Sequence, residues 1–182
     1  GKNPVFLLSE IVLALPNLIH HITHGDPERL LMATVVQMKV GERNFGVSAG
    51  TGTLALTLRA YRQEDMEALE RAILNMAQTG CERAGMTWQS SRQDVFPDTV
   101  NRPVCCVRVA DILREHHLPT QVLSEPMRWS EDFGWYLQEV PGMYLGLGAG
   151  EDHCGLHTDG YEFPDALLEP AINVLETLVR AL

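Results

Sequence analysis

Residues Met127–Asp165 read MRWSEDFGWYLQEVPGMYLGLGAGEDHCGLHTDGYEFPD, and three pieces of this stretch organise the rest of the chain. Ser130-Glu131-Asp132-Phe133 has the composition of a helix start. A Ser hydroxyl can accept from the free N–H groups of a first turn, and acids there sit at the positive end of the helix dipole. Val140-Pro141-Gly142 then turns the chain into an apolar run, Met143–Leu147, which reads as a strand ending in Gly148-Ala149-Gly150. Last come Leu156-His157, the run Tyr161-Glu162-Phe163, and Asp165 ahead of a closing helix.

Within the stretch, His157 carries the most chemistry. It lies in a polar loop close in sequence to Asp152, His153, Cys154, Asp159 and Glu162. Neutral imidazole and carboxylate suit Zn²⁺ or a similar divalent ion. The spacing His153-Cys154-x-x-His157 does not match structural zinc patterns and no second pair completes it, so a solvated loop histidine is the competing reading. Gly146-x-Gly148-x-Gly150 is not a dinucleotide fingerprint, which is G-x-G-x-x-G with a helix following at once. Here Glu151-Asp152 follows, and acids repel phosphate. Glycines at a strand end are expected instead to let the backbone pass close to a ligand or another strand.

The chain has 182 residues, enough for one ordinary domain or two small ones. Lys and Arg number 14 against 24 Asp and Glu, a formal net charge of −10, which argues against nucleic acid or an anionic membrane surface as partner. Ser9 and Glu10 interrupt the first apolar run, so no membrane span is expected, and there is no signal-peptide pattern. Cys81, Cys105, Cys106 and Cys154 lack paired spacing and read as reduced thiols, hence a cytoplasmic protein. The chain starts without Met and is helical in pattern within a few residues, as a piece cut from something longer would be.

Taken in order, Asn3-Pro4 starts a helix, Asn as cap and Pro at the first helical position, with Pro16 expected to kink or interrupt it. His20 and His24, four apart near its end, could share a face and bind a metal, but histidines at a helix C-terminus also suit the dipole and no third ligand is in sight. Leu30, Met32, Val36, Met38 and Val40 read as the buried side of a strand. Thr53–Arg59 alternates as a second strand with Leu54, Leu56 and Leu58 inward. Glu64 and Asp65 open a helix that Gly85 closes, and Met86–Gln93 reads as a third strand. This is most of a split βαββαβ unit without its first strand. From Asn101 a new unit begins, with a helix from Pro103, a short strand at Thr120–Leu123, then the stretch quoted above. The closing helix carries Leu168, Ile172, Leu175, Val179 and Leu182 on one stripe.

The order and spacing of these pieces resemble the M20 family of metal-dependent amidohydrolases and peptidases, the relatives of aminoacylase and hippurate hydrolase. The resemblance covers the whole chain and implies an α/β protein in two parts. Residues 1–97 resemble the family's α+β lid or dimerisation domain, and residues 98–182 the C-terminal part of its α/β catalytic domain. It implies a divalent metal, Zn first with Mn or Co as alternatives, two per complete enzyme. His157 falls at the position of the family's last metal ligand, with Glu131 and Asp132 supporting the site nearby. A homodimer through the lid and a small N-acyl amino acid or peptide substrate are likewise implied, with neither nucleic acid nor membrane as partner.

The departures are specific. The family's other ligands, its catalytic glutamate and its lid histidine belong upstream of Gly1. The lid loop reads Phe45-Gly46-Val47-Ser48-Ala49-Gly50, so no substrate-contacting asparagine carries over, and Asp159 stands where many relatives have proline. The chain alone is therefore expected to be inactive, a fragment of an amidohydrolase. The alternative is a non-catalytic dimerisation or binding module derived from that family.

Overall fold

The computed structural model describes residues 2–150 and 153–182. Their contacts divide the chain into two units, Gly1–Asp98 with Pro126–Ser130, and Thr99–Glu125 with Glu131–Leu182.

In the first unit, α1 (Val5–Thr23) starts one residue later than the sequence expects, with Pro4 rather than Asn3 at the cap position and Asn3 Oδ1 accepting from Val5 N–H at 3.0 Å. Pro16 does not interrupt it. That residue lies on the exposed side, where water can satisfy the carbonyl that proline leaves unpaired. Contrary to the sequence expectation, α1 is long and apolar enough to cross a membrane by length and composition. Its Leu7 and Ile11 pack with Cys81 in a core that Leu54, Ile73, Met76, Ala77 and Met86 complete. Two antiparallel strands follow, β1 (Leu31–Val40) and β2 (Gly52–Ala60). Then comes α2 (Gln63–Ala84), closed by Gly85 in the left-handed region at φ 62°.

The alternation expected across β1 fails at one place. Met32 pairs with Arg59 and Met38 with Leu54, with a bulge between Val35 and Gln37. An extra residue on one strand reverses which face its successors occupy. Met38 therefore shares the core face with Leu54, Met32 falls on the polar face with Arg59, and Val36 stays exposed. Residues 86–93 form no strand. In a split βαββαβ sheet the last strand pairs with the first, and that neighbour is not among the described residues. Met86 still packs on the core.

A polar clasp closes this unit. Asp65 is only 2% exposed, and Arg29 grips it with both arms of its guanidinium, Nε at 3.1 Å from Oδ2. The bond to Asp65 is also the main reason the Arg29 pKa is raised. Pro126–Ser130 joins the unit through its backbone, Arg59 donating to the Arg128 carbonyl at 2.9 Å and the Tyr61 hydroxyl to that of Pro126 at 3.2 Å.

In the second unit, α3 (Pro103–Glu115) crosses α5 (Leu168–Ala181). Val109, Ile112, Leu113 and Leu178 form the core, with Leu118, Met143, Leu145 and Val174 against it. On α3, Val104 and Val107 are exposed. Two sequence expectations are corrected here. On α5 the expected stripe exists but faces outward, and Leu178 is the buried residue. Neither Thr120–Leu123 nor Met143–Leu147 is a strand, since neither has a backbone ladder to join. The chain is thus α+β, five helices and one short turn of 3₁₀ helix (Asp165–Leu167) with a single antiparallel hairpin sheet among the described residues.

Candidate functional site

The second unit builds its candidate site on an asparagine that stands in for a strand. Asn101 Nδ2 donates to the Tyr144 carbonyl at 2.9 Å, and its Oδ1 accepts from Tyr144 N–H at 2.7 Å. Next to it, Arg102 N–H donates to the Gly142 carbonyl at 3.0 Å. Residues 142–144 are held in place by these three bonds rather than by a neighbouring strand. The Tyr144 ring lies 5.2 Å from that of Phe133, which is 5.6 Å from Tyr136.

Glu131 and Asp132 precede α4 (Gly134–Glu139). Ser130 does not cap this helix, which starts four residues later with Phe133 at its cap and no side-chain cap bond. Glu131 is half-buried and Asp132 exposed. Both act on Tyr144, whose pKa is raised first by burial, then by the charge of Glu131 and a hydrogen bond to it, and last by the charge of Asp132. A negative charge beside a phenol disfavours a second one. Nothing local in the sequence marks this Tyr144 assembly, because Asn101 and its partner lie 43 residues apart.

His157 lies in a loop closed by local bonds. Thr158 Oγ1 donates to the Gly155 carbonyl at 2.8 Å and Tyr161 N–H to that of Thr158 at 3.0 Å. His153 Nε2 is 3.1 Å from the Glu162 carbonyl, its ring edge-on to Tyr161 at 5.2 Å. His157 itself is exposed, with φ 64° in the left-handed region, a conformation that L-residues other than Gly, Asn and Asp seldom take. Asp152, read as a neighbour of His157, lies outside the described residues. Among the described residues nothing lies within 4 Å of where a Cβ would stand on Gly146, Gly148 or Gly150, and of these three Gly150 alone takes a φ, 96°, that favours glycine.

The metal that the family resemblance implies can be tested against these donors. Among the described residues no three His, Cys, Asp or Glu side chains come together in a way that could hold an ion. This includes His157 and the pair His20 and His24. A catalytic zinc needs several protein donors, so the described residues offer single donors rather than a site.

No family model matches the chain. It is similar to the N-acetyldiaminopimelate deacetylase of Bacillus subtilis, 27% identical over 187 residues that cover 100% of this chain and 46% of that protein. Thermostable carboxypeptidase 2 of Saccharolobus solfataricus is 27% identical over 156 residues, 84% of this chain and 38% of the relative. The IAA-amino acid hydrolase ILR1-like 5 of Arabidopsis thaliana is 24% identical over 185 residues, 97% of this chain and 42% of the relative. A crystal structure described as an aminohydrolase from methicillin-resistant Staphylococcus aureus shares the fold, with a TM-score of 0.75 at 22% identity over 96% of this chain and 45% of that one. The chain spans less than half the length of these proteins.

Fold and relatives together define the class as amidohydrolases and peptidases. These matches indicate the M20 family of amidohydrolases as what the chain is similar to, over the part of the relatives' length that it spans.

Proposed function

We propose that these residues are the lid and the closing part of the catalytic domain of a metal-dependent hydrolase that cleaves the amide of an N-acyl amino acid or small peptide. The observation that carries this reading is the match over the full chain to a deacetylase, beside partial-length matches to a carboxypeptidase and an amino acid conjugate hydrolase. All three names describe an acyl group on the nitrogen of an amino acid. A divalent ion, zinc first, would supply polarisation of the amide carbonyl and a more acidic water. His157 is the one donor we assign to it, with Glu131 and Asp132 near that part of the unit.

Alone, the 182 residues are expected to be inactive, because one imidazole does not hold a catalytic metal. Incubation with N-acetyl and N-benzoyl amino acids plus Zn²⁺, Mn²⁺ or Co²⁺ is expected to give no release of free amine. Robust, chelator-sensitive release by this chain would overturn the assignment of inactivity. The open edges of β1 and β2 support a homodimer through the lid, and sedimentation at high micromolar concentration showing only monomer would overturn it. A second reading, a non-catalytic module, draws on the lack of a ligand cluster among the described residues. Hydrolysis by the native polypeptide that contains these residues would exclude it.

A further inference from the structure

Residues 119–130 lead into Glu131 and Asp132 without helix or strand of their own. Among the described residues, this segment takes part in two hydrogen bonds and no others, and both come from side chains of the first unit. Arg59 Nη1 reaches the Arg128 carbonyl and the Tyr61 hydroxyl reaches that of Pro126. Pro126 has no N–H, so its carbonyl is the one backbone group it can pair.

The two ties match in period. Tyr61 N–H donates to the Leu30 carbonyl at 3.1 Å, which carries the β1–β2 ladder one residue past Ala60. Arg59 and Tyr61 are two apart, so they fall on one face of that ladder. Their acceptors, Arg128 and Pro126, are also two apart and are taken in reverse order. Two donors and two acceptors at equal spacing describe a segment laid antiparallel across the end of β2. Glu131 follows three residues after Arg128, at most about 11 Å of chain away. A segment with so few bonds opens at little cost once its ties are lost, and the carboxylates at its end lose their anchor with it.

We propose that Arg59 and Tyr61 are positioning residues, which hold Glu131 and Asp132 in place by gripping the backbone ahead of them. The proposal rests on the reading above, in which these two carboxylates support a hydrolytic site. In this role both side chains act as hydrogen-bond donors to carbonyls, and the charge of Arg59 is incidental. Lysine at position 59 therefore serves where methionine does not.

The test compares Tyr61→Phe, Arg59→Met and Arg59→Lys by limited trypsin digestion, by the tyrosinate titration of Tyr144 and, in the native polypeptide that contains these residues, by amide hydrolysis. Trypsin cuts after Arg128 only when the segment is free, and loss of one exposed hydrogen bond should raise that rate about fivefold. Cleavage after Arg71 and Arg83 inside α2 should stay constant, which reports that the first unit is still folded. Tyr144 feels Glu131, so its titration, taken against the Tyr144→Phe background, should move part of the way down in Tyr61→Phe and Arg59→Met. In the native polypeptide kcat should fall on the order of tenfold with KM little changed. Arg59→Lys should stay close to the unsubstituted protein in all three. Unchanged cleavage after Arg128, or faster cleavage with the Tyr144 titration unmoved, would overturn the proposal, the second because it makes the ties merely structural. Hydrolysis separates the two claims. No hydrolysis by the unsubstituted polypeptide, with cleavage and titration moving as expected, defeats the functional reading alone, and hydrolysis with kcat unchanged in both variants defeats the positioning role alone.

Discussion

In the first unit, two helices of 19 and 22 residues close over a hairpin sheet, Leu69 is wholly buried, and the buried Asp65 has its arginine. In the second, Val109, Ile112, Leu113 and Leu178 are buried where α3 meets α5 and Leu137 is buried on α4, while Val104, Val107 and the outer stripe of α5 stay exposed. Both units leave large apolar side chains exposed, Phe6, Leu13 and Val36 in the first as well as Val104, Ile172 and Val179 in the second, but only the first encloses a leucine completely. The candidate chemistry, His157 with Glu131 and Asp132, lies in the second.

The comparison is most open to breakage in the cores. Leu69→Ala is expected to cost about 3 kcal/mol, since a fully enclosed leucine leaves a cavity that its surroundings cannot fill. Leu178→Ala should cost less, about 2 kcal/mol, because its neighbours Val174, Leu118 and Met143 are only partly buried and free to collapse. Hydrogen exchange resolved by peptide reports the two units separately. Equal costs would mean that the second core is as complete as the first.

Gly80→Ala probes the tightness of the first unit. Alanine gains about 1 kcal/mol of helix propensity over glycine. Its Cβ, however, would run into the branched end of the buried Leu7 on α1, and overpacking costs about 1–3 kcal/mol. The net expectation is a loss of about 1 kcal/mol in denaturant unfolding. A gain would show that α1 shifts easily and that this unit is looser than its buried residues imply.

These differences explain what could be read from the chain beforehand. The helices were legible because their signals are local. Asn3-Pro4 starts α1, Gly85 stops α2, and Pro103 opens α3 at the first helical position. Of the strands, β1 and β2 were legible from their alternation, but register and the other expected strands were not, because these depend on a partner. Val36 carries no mark of a bulge, yet it moves Met32 and Met38 to opposite faces. Residues 86–93 and 143–147 have strand composition and no ladder to join. The stripe on α5 was visible as a period but not as an outward face, since a period does not say which apolar arc finds a neighbour. At the site, His157 was nameable from its loop composition. The engagement of Glu131 with Tyr144, and of Tyr144 with Asn101, spans 13 and 43 residues and left no local sign.

Asn101→Ala sharpens the picture of the second unit. It removes both bonds to Tyr144 and leaves Arg102 N–H as the remaining tie to the turn at Gly142. At an exposed site the loss should be about 1 kcal/mol, and amide exchange at 143–147 should rise while that of α1 and α2 stays constant. Unchanged exchange would show that packing of Met143 and Leu145 on the core is sufficient to hold the segment.

The smallest effect is the titration of Tyr144. Its pKa is raised in the folded chain, so the folded state keeps this proton to higher pH than the unfolded one. Stability from this group is complete below the ordinary tyrosine value of about 10. It is lost as the pH rises from there through the folded value, because in that window the folded state binds more protons. The ring is 37% exposed, which keeps the effect small. Tyrosinate absorbance, taken as the difference between the chain and its Tyr144→Phe variant, isolates this residue from the other tyrosines. Glu131→Gln should bring the titration part of the way down, since the charge of Glu131 goes while burial, the larger cause, remains. A titration that does not move would mean that Glu131 is turned away from Tyr144 and free to serve the loop of His157 instead.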